Sequence, residues 1–77
     1  ITVRPQNGTL LLSGGEISGL SMEILDLYGR TLYNYPEFIE LRNSSVELRL
    51  PPLPSSVYFL SITGNNSKEY HKFTVAQ

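Results

Sequence analysis

Regularly spaced turn residues are the feature that most limits what this chain can fold into. Glycine, proline, asparagine and serine recur about every 8 to 12 residues and separate short runs of leucine, β-branched and aromatic side chains. The turn clusters are Pro5–Gly8, Ser13–Gly15, Tyr28–Gly29, Tyr35–Pro36, Asn43–Ser45, Pro51–Pro54 and Gly64–Asn66. Many short strands at this spacing are typical of an all-β sandwich or barrel.

The segments between the turns predict seven strands, because their apolar residues recur with a period of two wherever it can be tested. They are Ile1–Arg4, Thr9–Ser13, Leu20–Leu27, Arg30–Asn34, Val46–Leu50, Val57–Thr63 and Glu69–Val75. Large side chains occupy both faces of Val57–Thr63, which indicates a central strand or one whose outer face is covered. The best helical candidate, Glu37–Asn43, is too short to be stable alone, so we expect a loop, an irregular edge strand or a short helical turn.

Length and composition exclude several classes of function. The 77 residues allow a single domain over positions 1–77, and an Ile at the first position indicates a mature fragment or a domain excised from a larger parent protein. Six basic and seven acidic residues are scattered along the chain, which argues against a nucleic-acid partner. With no cysteine, one histidine and no long apolar run, the sequence predicts no metal site, no cofactor and no transmembrane segment.

Asp26-Leu27-Tyr28-Gly29-Arg30 combines an acid, a glycine and a base, and it predicts a hairpin turn. Aspartate at the first position of a type I turn accepts backbone N–H groups, and glycine at the fourth supplies the positive φ of a bulge. Arg30 then opens the return strand and is the residue that folding explains least. A ligand site built from Asp26 and Arg30 is the alternative interpretation.

The proline-rich segment Leu50–Tyr58 predicts a stiff crossover that leads into a strand. Leu53, Pro54 and Tyr58 have the spacing of a tyrosine corner, in which the phenol hydroxyl binds the preceding loop. A polyproline ligand for an SH3-like partner is the rival interpretation. It is disfavoured because Leu50, Leu53 and Val57 look like core contacts.

The candidate reactive groups do not form a catalytic pattern. His71 shares a strand face with Phe73 and Val75, so we expect it to be packed and hydrogen-bonded. No nucleophile, second base or convincing carboxylate pair accompanies it in the sequence, and the serines lie in turns without a histidine nearby. The sequence therefore predicts no catalytic residues and a protein that is not an enzyme.

Three blocks, MEILDLYGRTLY, LPPLPSSVYFLSI and KEYHKFTV, together resemble the C-terminal sorting domain of the type IX secretion system of Bacteroidetes. That family has a hydrophobic strand ending in Asp-hydrophobic-x-Gly-Arg, then a Leu-x-x-Gly-x-Tyr strand, then a final lysine-bearing strand. The matching residues are Met22, Ile24, Asp26, Leu27, Gly29, Arg30, Leu53, Tyr58, Phe59, Ile62, Lys72, Phe73 and Val75. The resemblance covers essentially the whole chain, with Ser56 where a glycine is common.

The resemblance implies a seven-stranded immunoglobulin-like antiparallel β-sandwich that acts as a signal for export. Such a domain folds in the periplasm and directs its parent protein across the outer membrane to the cell surface. The implied partners are outer-membrane translocon components and a sortase. In typical cargo the sortase removes the domain, whereas other members keep it as part of the secretion or attachment machinery at the surface.

For recognition by those partners we expect surface or edge features at two places. The candidate residues are Gly29 and Arg30 in the turn, and Lys68, Lys72, Phe73 and Val75 in the last strand. An exposed terminal strand favours strand addition to a partner, and exchange of that strand between two copies would give a homodimer. Two other functions fit a sandwich. One is an immunoglobulin-like or fibronectin-like adhesion or spacer domain, and the other is a carbohydrate-binding module using Tyr28, Tyr33 and Tyr35.

Overall fold

The computed structural model of the chain describes residues 1–14, 16–35, 39–42, 46–64 and 66–76. Side chains are described for all of these except 16–19 and 39–42. Within these residues the chain contains eight strands and no helix. The strands are β1 (Thr2–Gln6), β2 (Thr9–Ser13), β3 (Glu16–Leu25), β4 (Thr31–Asn34), β5 (Ile39–Arg42), β6 (Val46–Arg49), β7 (Ser56–Thr63) and β8 (Lys68–Val75).

The strands form two antiparallel sheets, which confirms the predicted all-β, immunoglobulin-like sandwich. The smaller sheet has the order β1-β2-β6. The larger sheet has the order β4-β3-β7-β8, and β5 pairs with the first half of β3. The central position predicted for Val57–Thr63 is confirmed, because β7 pairs with both β3 and β8.

Each of the seven predicted strands corresponds to an observed one, and the main difference concerns β3 and β5. Strand β3 begins at Glu16, four residues before the predicted start at Leu20. The sequence of this extension shows no clear alternation, and it is a strand because it pairs with β5. Of the alternatives predicted for Glu37–Asn43, the edge strand is confirmed at Ile39–Arg42. Positions 37, 38 and 43 and the turn predicted at 43–45 lie outside the described residues.

The core lies between the sheets and is built by inward positions of the strands together with Leu53 of the proline crossover. Its buried side chains are Leu10, Leu12, Leu20, Met22, Ile24, Leu48, Leu53, Tyr58, Leu60, Ile62 and Phe73. On β6, Leu48 is buried while Glu47 and Arg49 are exposed, as the alternation predicts. Complete burial of one such side chain contributes about 1.5–3 kcal/mol, so this small cluster provides most of the stabilisation that a short chain can obtain.

Tyr35 connects the two sheets at the end of β4. Its backbone N–H donates to the carbonyl of Met22 in the larger sheet, with 3.0 Å between nitrogen and oxygen. Its hydroxyl donates to the carbonyl of Arg49 on β6 over 2.9 Å. Desolvation by burial, and secondarily the neighbouring Tyr33, raises the pKa of Tyr35 to about 12. The ring is therefore a structural link whose hydroxyl stays protonated through the physiological range.

Candidate recognition surface

The turn between β3 and β4 has the geometry predicted from its sequence. The N–H of Gly29 donates to the carbonyl of Asp26 over 3.1 Å, and the N–H of Asp26 donates to the carbonyl of Arg30 over 3.0 Å. Gly29 has a φ of 81°, which is strained for any residue with a side chain. The β3–β4 register shifts between Ile24 and Leu25, as expected for a bulge. The hairpin turn is confirmed.

The Asp26 carboxylate organises this turn. Its Oδ1 accepts from the N–H of Tyr28 over 2.8 Å and from the N–H of Arg30 over 2.9 Å, and its Oδ2 accepts from Arg30 Nε over 2.7 Å. Desolvation opposes ionisation, but the hydrogen bonds from Arg30 and Tyr28 and the guanidinium charge outweigh it and lower the pKa of Asp26. Both carboxylate oxygens are thus occupied within the turn.

Arg30 is better explained by folding than the sequence suggested. Its Nε is held by Asp26, and its guanidinium carbon lies 5.4 Å from the centre of the Tyr28 ring, within cation–π range. Yet the Arg30 side chain is 74% exposed and Tyr28 is 84% exposed. The turn therefore presents an ordered tyrosine and arginine to solvent.

The proline crossover forms the predicted tyrosine corner. The Tyr58 hydroxyl donates to the carbonyl of Pro54 over 2.6 Å, and the Tyr58 ring packs 5.9 Å from that of Phe73. Leu53 is buried in the core, while Leu50 packs against it partly buried. Leu50 and Leu53 are thus core contacts, as the crossover interpretation requires, whereas Val57, expected to be a third, is partly buried and lies outside this cluster.

Strand β8 separates the predicted recognition residues into two groups. Lys68 and Lys72 point away from the core and are exposed. Phe73 is 3% exposed and belongs to the core, and Val75 packs against the core partly buried. Hence a partner that touches this face meets the lysines directly, whereas Phe73 contributes by holding β8 in place.

A shallow groove on the outer face of the larger sheet brings the hairpin and β8 together. We call it the outer groove; it is lined by Leu25, Asp26, Leu27, Gly29, Phe59 and Tyr70 and has a volume of about 370 Å³. Sequence reasoning did not select Leu25, Phe59 or Tyr70 for recognition. The available signal was the presence of large residues on both faces of β7, which places Phe59 on the side opposite the core.

A second cleft, of about 500 Å³, lies at one end of the sandwich. Its walls are the β1–β2 turn, the proline crossover and the end of β8, which supply Pro5–Gly8, Leu50–Leu53 and Thr74–Ala76. Val75 and Leu53, which the sequence analysis selected for different reasons, both line it. Part of its wall is core packing, since both side chains belong to or contact the core.

The three tyrosines considered for sugar binding do not share one exposed platform. Tyr33 and Tyr35 meet edge to face, with ring centres 4.9 Å apart, and Tyr35 is half-buried between the sheets. Tyr28 lies at the turn, where Arg30 is the ring contact found among the described residues. These residues therefore do not form the flat surface of parallel rings on which a sugar would stack.

His71 lies on the inner face of β8, as predicted, but the expected hydrogen bond is not found among the described residues. Its Nε2 is buried without a hydrogen-bond partner there and lies 3.5 Å from Glu69 Oε1. Within the same part of the chain, no three His, Cys, Asp or Glu side chains are placed to hold a metal ion. Nor does that part contain a helix long and apolar enough to cross a membrane.

Comparison with known proteins decides the family. A model of the secretion system C-terminal sorting domain matches residues 4–76, nearly the full length of the chain. The chain belongs to this family. Searches among curated proteins and among solved structures gave no match. As a sorting domain it serves as a C-terminal signal for type IX secretion, which implies interaction with that machinery and export to the cell surface or beyond.

Proposed function

We propose that this chain is the folded export signal of a larger parent protein. On this proposal the machinery binds the domain in the periplasm and carries the parent across the outer membrane, where a sortase removes the signal or the domain is retained. The family match over residues 4–76 is the observation that supports it. The domain then works as a single recognition module, without a reaction of its own.

We further propose that β8 is one of the elements that translocon components bind. It is the last strand in the order of the larger sheet, and β7 is the partner described for it. A strand at the edge of a sheet has backbone groups available for strand addition. Lys68 and Lys72 stand exposed on the same strand and mark its outer side.

Two copies of the domain would use the same strand for exchange, which light scattering would detect as a dimer mass.

The experiment is an export assay with a reporter fused ahead of the chain, in a bacterium that has a type IX system. Deleting β8 would be a poor test, because it removes Phe73 from the core. Reversing the charges of Lys68 and Lys72 to glutamate keeps the packed side of the strand intact. The matched control reverses Arg4 and Arg49, which are exposed on the smaller sheet.

We expect the intact fusion at the cell surface or in the medium, together with the Arg4→Glu/Arg49→Glu control. The Lys68→Glu/Lys72→Glu fusion should stay in the periplasm although its melting temperature is unchanged. If the intact fusion is not exported, the export function is wrong and an adhesion or spacer domain gains support. If the intact fusion and the lysine variant are both exported normally, the role of β8 is wrong and the export function stands.

A further inference from the structure

The outer groove is an apolar surface that nothing in the described part of the chain covers. Leu25 and Phe59 face each other across β3 and β7 and are half-buried, on the side of the sheet opposite the core. Leu27 and Tyr70 at its rim are 58% and 57% exposed. Apolar side chains grouped on a monomer surface and bordered by polar groups are typical of an interaction site.

Three exposed cations lie around this groove. Lys72 is exposed and lies directly opposite Phe59 in the β7–β8 register, and the Lys68 ammonium is 5.5 Å from the centre of the Tyr70 ring. Arg30 adds a third exposed cation at the hairpin end. The chain as a whole has a net charge of −1, so this excess of positive charge is local to the face.

The carboxylates on the same face already accept hydrogen bonds within the chain. Asp26 accepts from Tyr28 and Arg30 through both oxygens. Glu23 accepts from the Thr31 hydroxyl over 2.8 Å. Among the described residues, the cations therefore keep more capacity for a new partner than the anions do.

Arg30 is arranged for a second carboxylate. Only its Nε is used by Asp26, and the described hydrogen bonds do not involve its two terminal NH₂ groups. Contact with Asp26 and with the Tyr28 ring restricts the guanidinium before any partner arrives. Prior ordering lowers the entropy cost of binding, and arginine with tyrosine is a frequent energetic centre of protein interfaces.

We propose that the outer groove with its cationic rim binds a protein segment that presents an apolar side chain flanked by carboxylates. The apolar side chain would contact Phe59 and Tyr70, and the carboxylates would pair with Arg30 and Lys72. Charge complementarity selects this partner, since a neutral or basic segment would leave the rim unpaired. The proposal deepens the export function and rests on it for the assumption that the partner belongs to the secretion machinery.

The test is an NMR titration of the ¹⁵N-labelled 77-residue chain, at low salt, with two capped peptides. One is acetyl-Asp-Leu-Asp-amide, and the other is acetyl-Asn-Leu-Asn-amide, which has the same shape without charge. We expect the acidic peptide to shift the signals of residues 25–30, Phe59, Tyr70 and Lys72, and the neutral peptide to bind less tightly. Lys72→Gln, which leaves the turn intact, should weaken binding by about two- to fivefold, and so should Arg30→Gln. Arg49→Gln on the other sheet is the matched control.

The outcomes separate this proposal from the export function. Equal binding of the two peptides, scattered shifts or no shifts would overturn it, even if the fusion of the intact chain is exported. Anionic phosphatidylglycerol vesicles provide another arm of the test. If they broaden the same signals while the acidic peptide has no effect, the face binds a membrane surface and the proposal is wrong. Binding of the peptide together with a failed export assay would leave the surface in place and remove its assignment to secretion.

Discussion

The two corners of this sandwich, the proline crossover and the β3–β4 hairpin, use a tyrosine in opposite ways. At the crossover Tyr58 is 5% exposed, packs against Phe73 and donates its hydroxyl to Pro54. At the hairpin Tyr28 is 84% exposed, and its described ring contact is Arg30. The first tyrosine is a core residue with one polar bond, and the second is a surface residue held by a cation.

This difference in exposure distinguishes a tyrosine that stabilises the fold from one that is accessible to a partner. The crossover is stabilised by burial, which any sandwich of this size requires. The hairpin is stabilised by local hydrogen bonds around Asp26, which order Tyr28 and Arg30 without burying them. An ordered but exposed aromatic–cation pair contributes little to stability, so these two side chains remain available to a partner.

The strongest test of this contrast applies the same substitution to both tyrosines. Tyr58→Ala should lower the free energy of unfolding by about 3–5 kcal/mol, because it removes a buried ring and leaves a cavity. Tyr28→Ala should change it by about 0.5 kcal/mol or less, as expected at an exposed site. Urea denaturation followed by fluorescence or circular dichroism measures both values.

Tyr58→Phe supplies the intermediate case, since it keeps the ring and removes only the hydroxyl bond to Pro54. A loss of about 0.5–1.5 kcal/mol in the free energy of unfolding is expected for one hydrogen bond.

If Tyr28→Ala lowered the free energy of unfolding as much as Tyr58→Ala, the hairpin would be a structural corner like the crossover. The exposure of Tyr28 and Arg30 would then no longer support a binding role for the hairpin.

The sequence predicted this contrast only in part. Alternation and turn spacing were sufficient for an all-β fold, the tyrosine-corner spacing for Tyr58 and the turn chemistry for Asp26–Gly29, because these depend on local sequence. The choice of a sandwich rather than a barrel came from the family resemblance. The early start of β3 and the presence of β5 depend on pairing between distant segments, which periodicity does not report. The outer groove could not be predicted for the same reason, since it also depends on pairing between distant strands. Leu25, Phe59 and Tyr70 come from three strands, and only the observed registers place them on one face.

A smaller effect is expected at Gly29, and it tests whether the hairpin depends on backbone conformation rather than packing. A Cβ at this position would meet nothing within 4 Å, so the cost of Gly29→Ala comes only from its φ of +81°. That cost is about 1–2 kcal/mol. Gly29→Asn should cost less, because asparagine tolerates the left-handed region. Thermal denaturation compares the stability of the two variants. Equal losses of stability would mean that the positive φ of Gly29 is not the cause of the cost.

The smallest expected effect is a change in stability at acidic pH. It tests the Asp26 carboxylate, which stabilises the hairpin and not the crossover. The pKa of Asp26 is lower in the folded chain than its ordinary value near 3.9, so the carboxylate stabilises the fold above about pH 4. This contribution is lost as the pH falls through the lower folded pKa. Asp26→Asn should therefore melt below the parent chain at neutral pH, and the gap should close in acid. All other carboxylates are common to the two chains and cancel in the difference. A gap that stays constant between neutral and acidic pH would show that the Asp26 charge does not stabilise the turn, and the ordering of Arg30 would then need another cause.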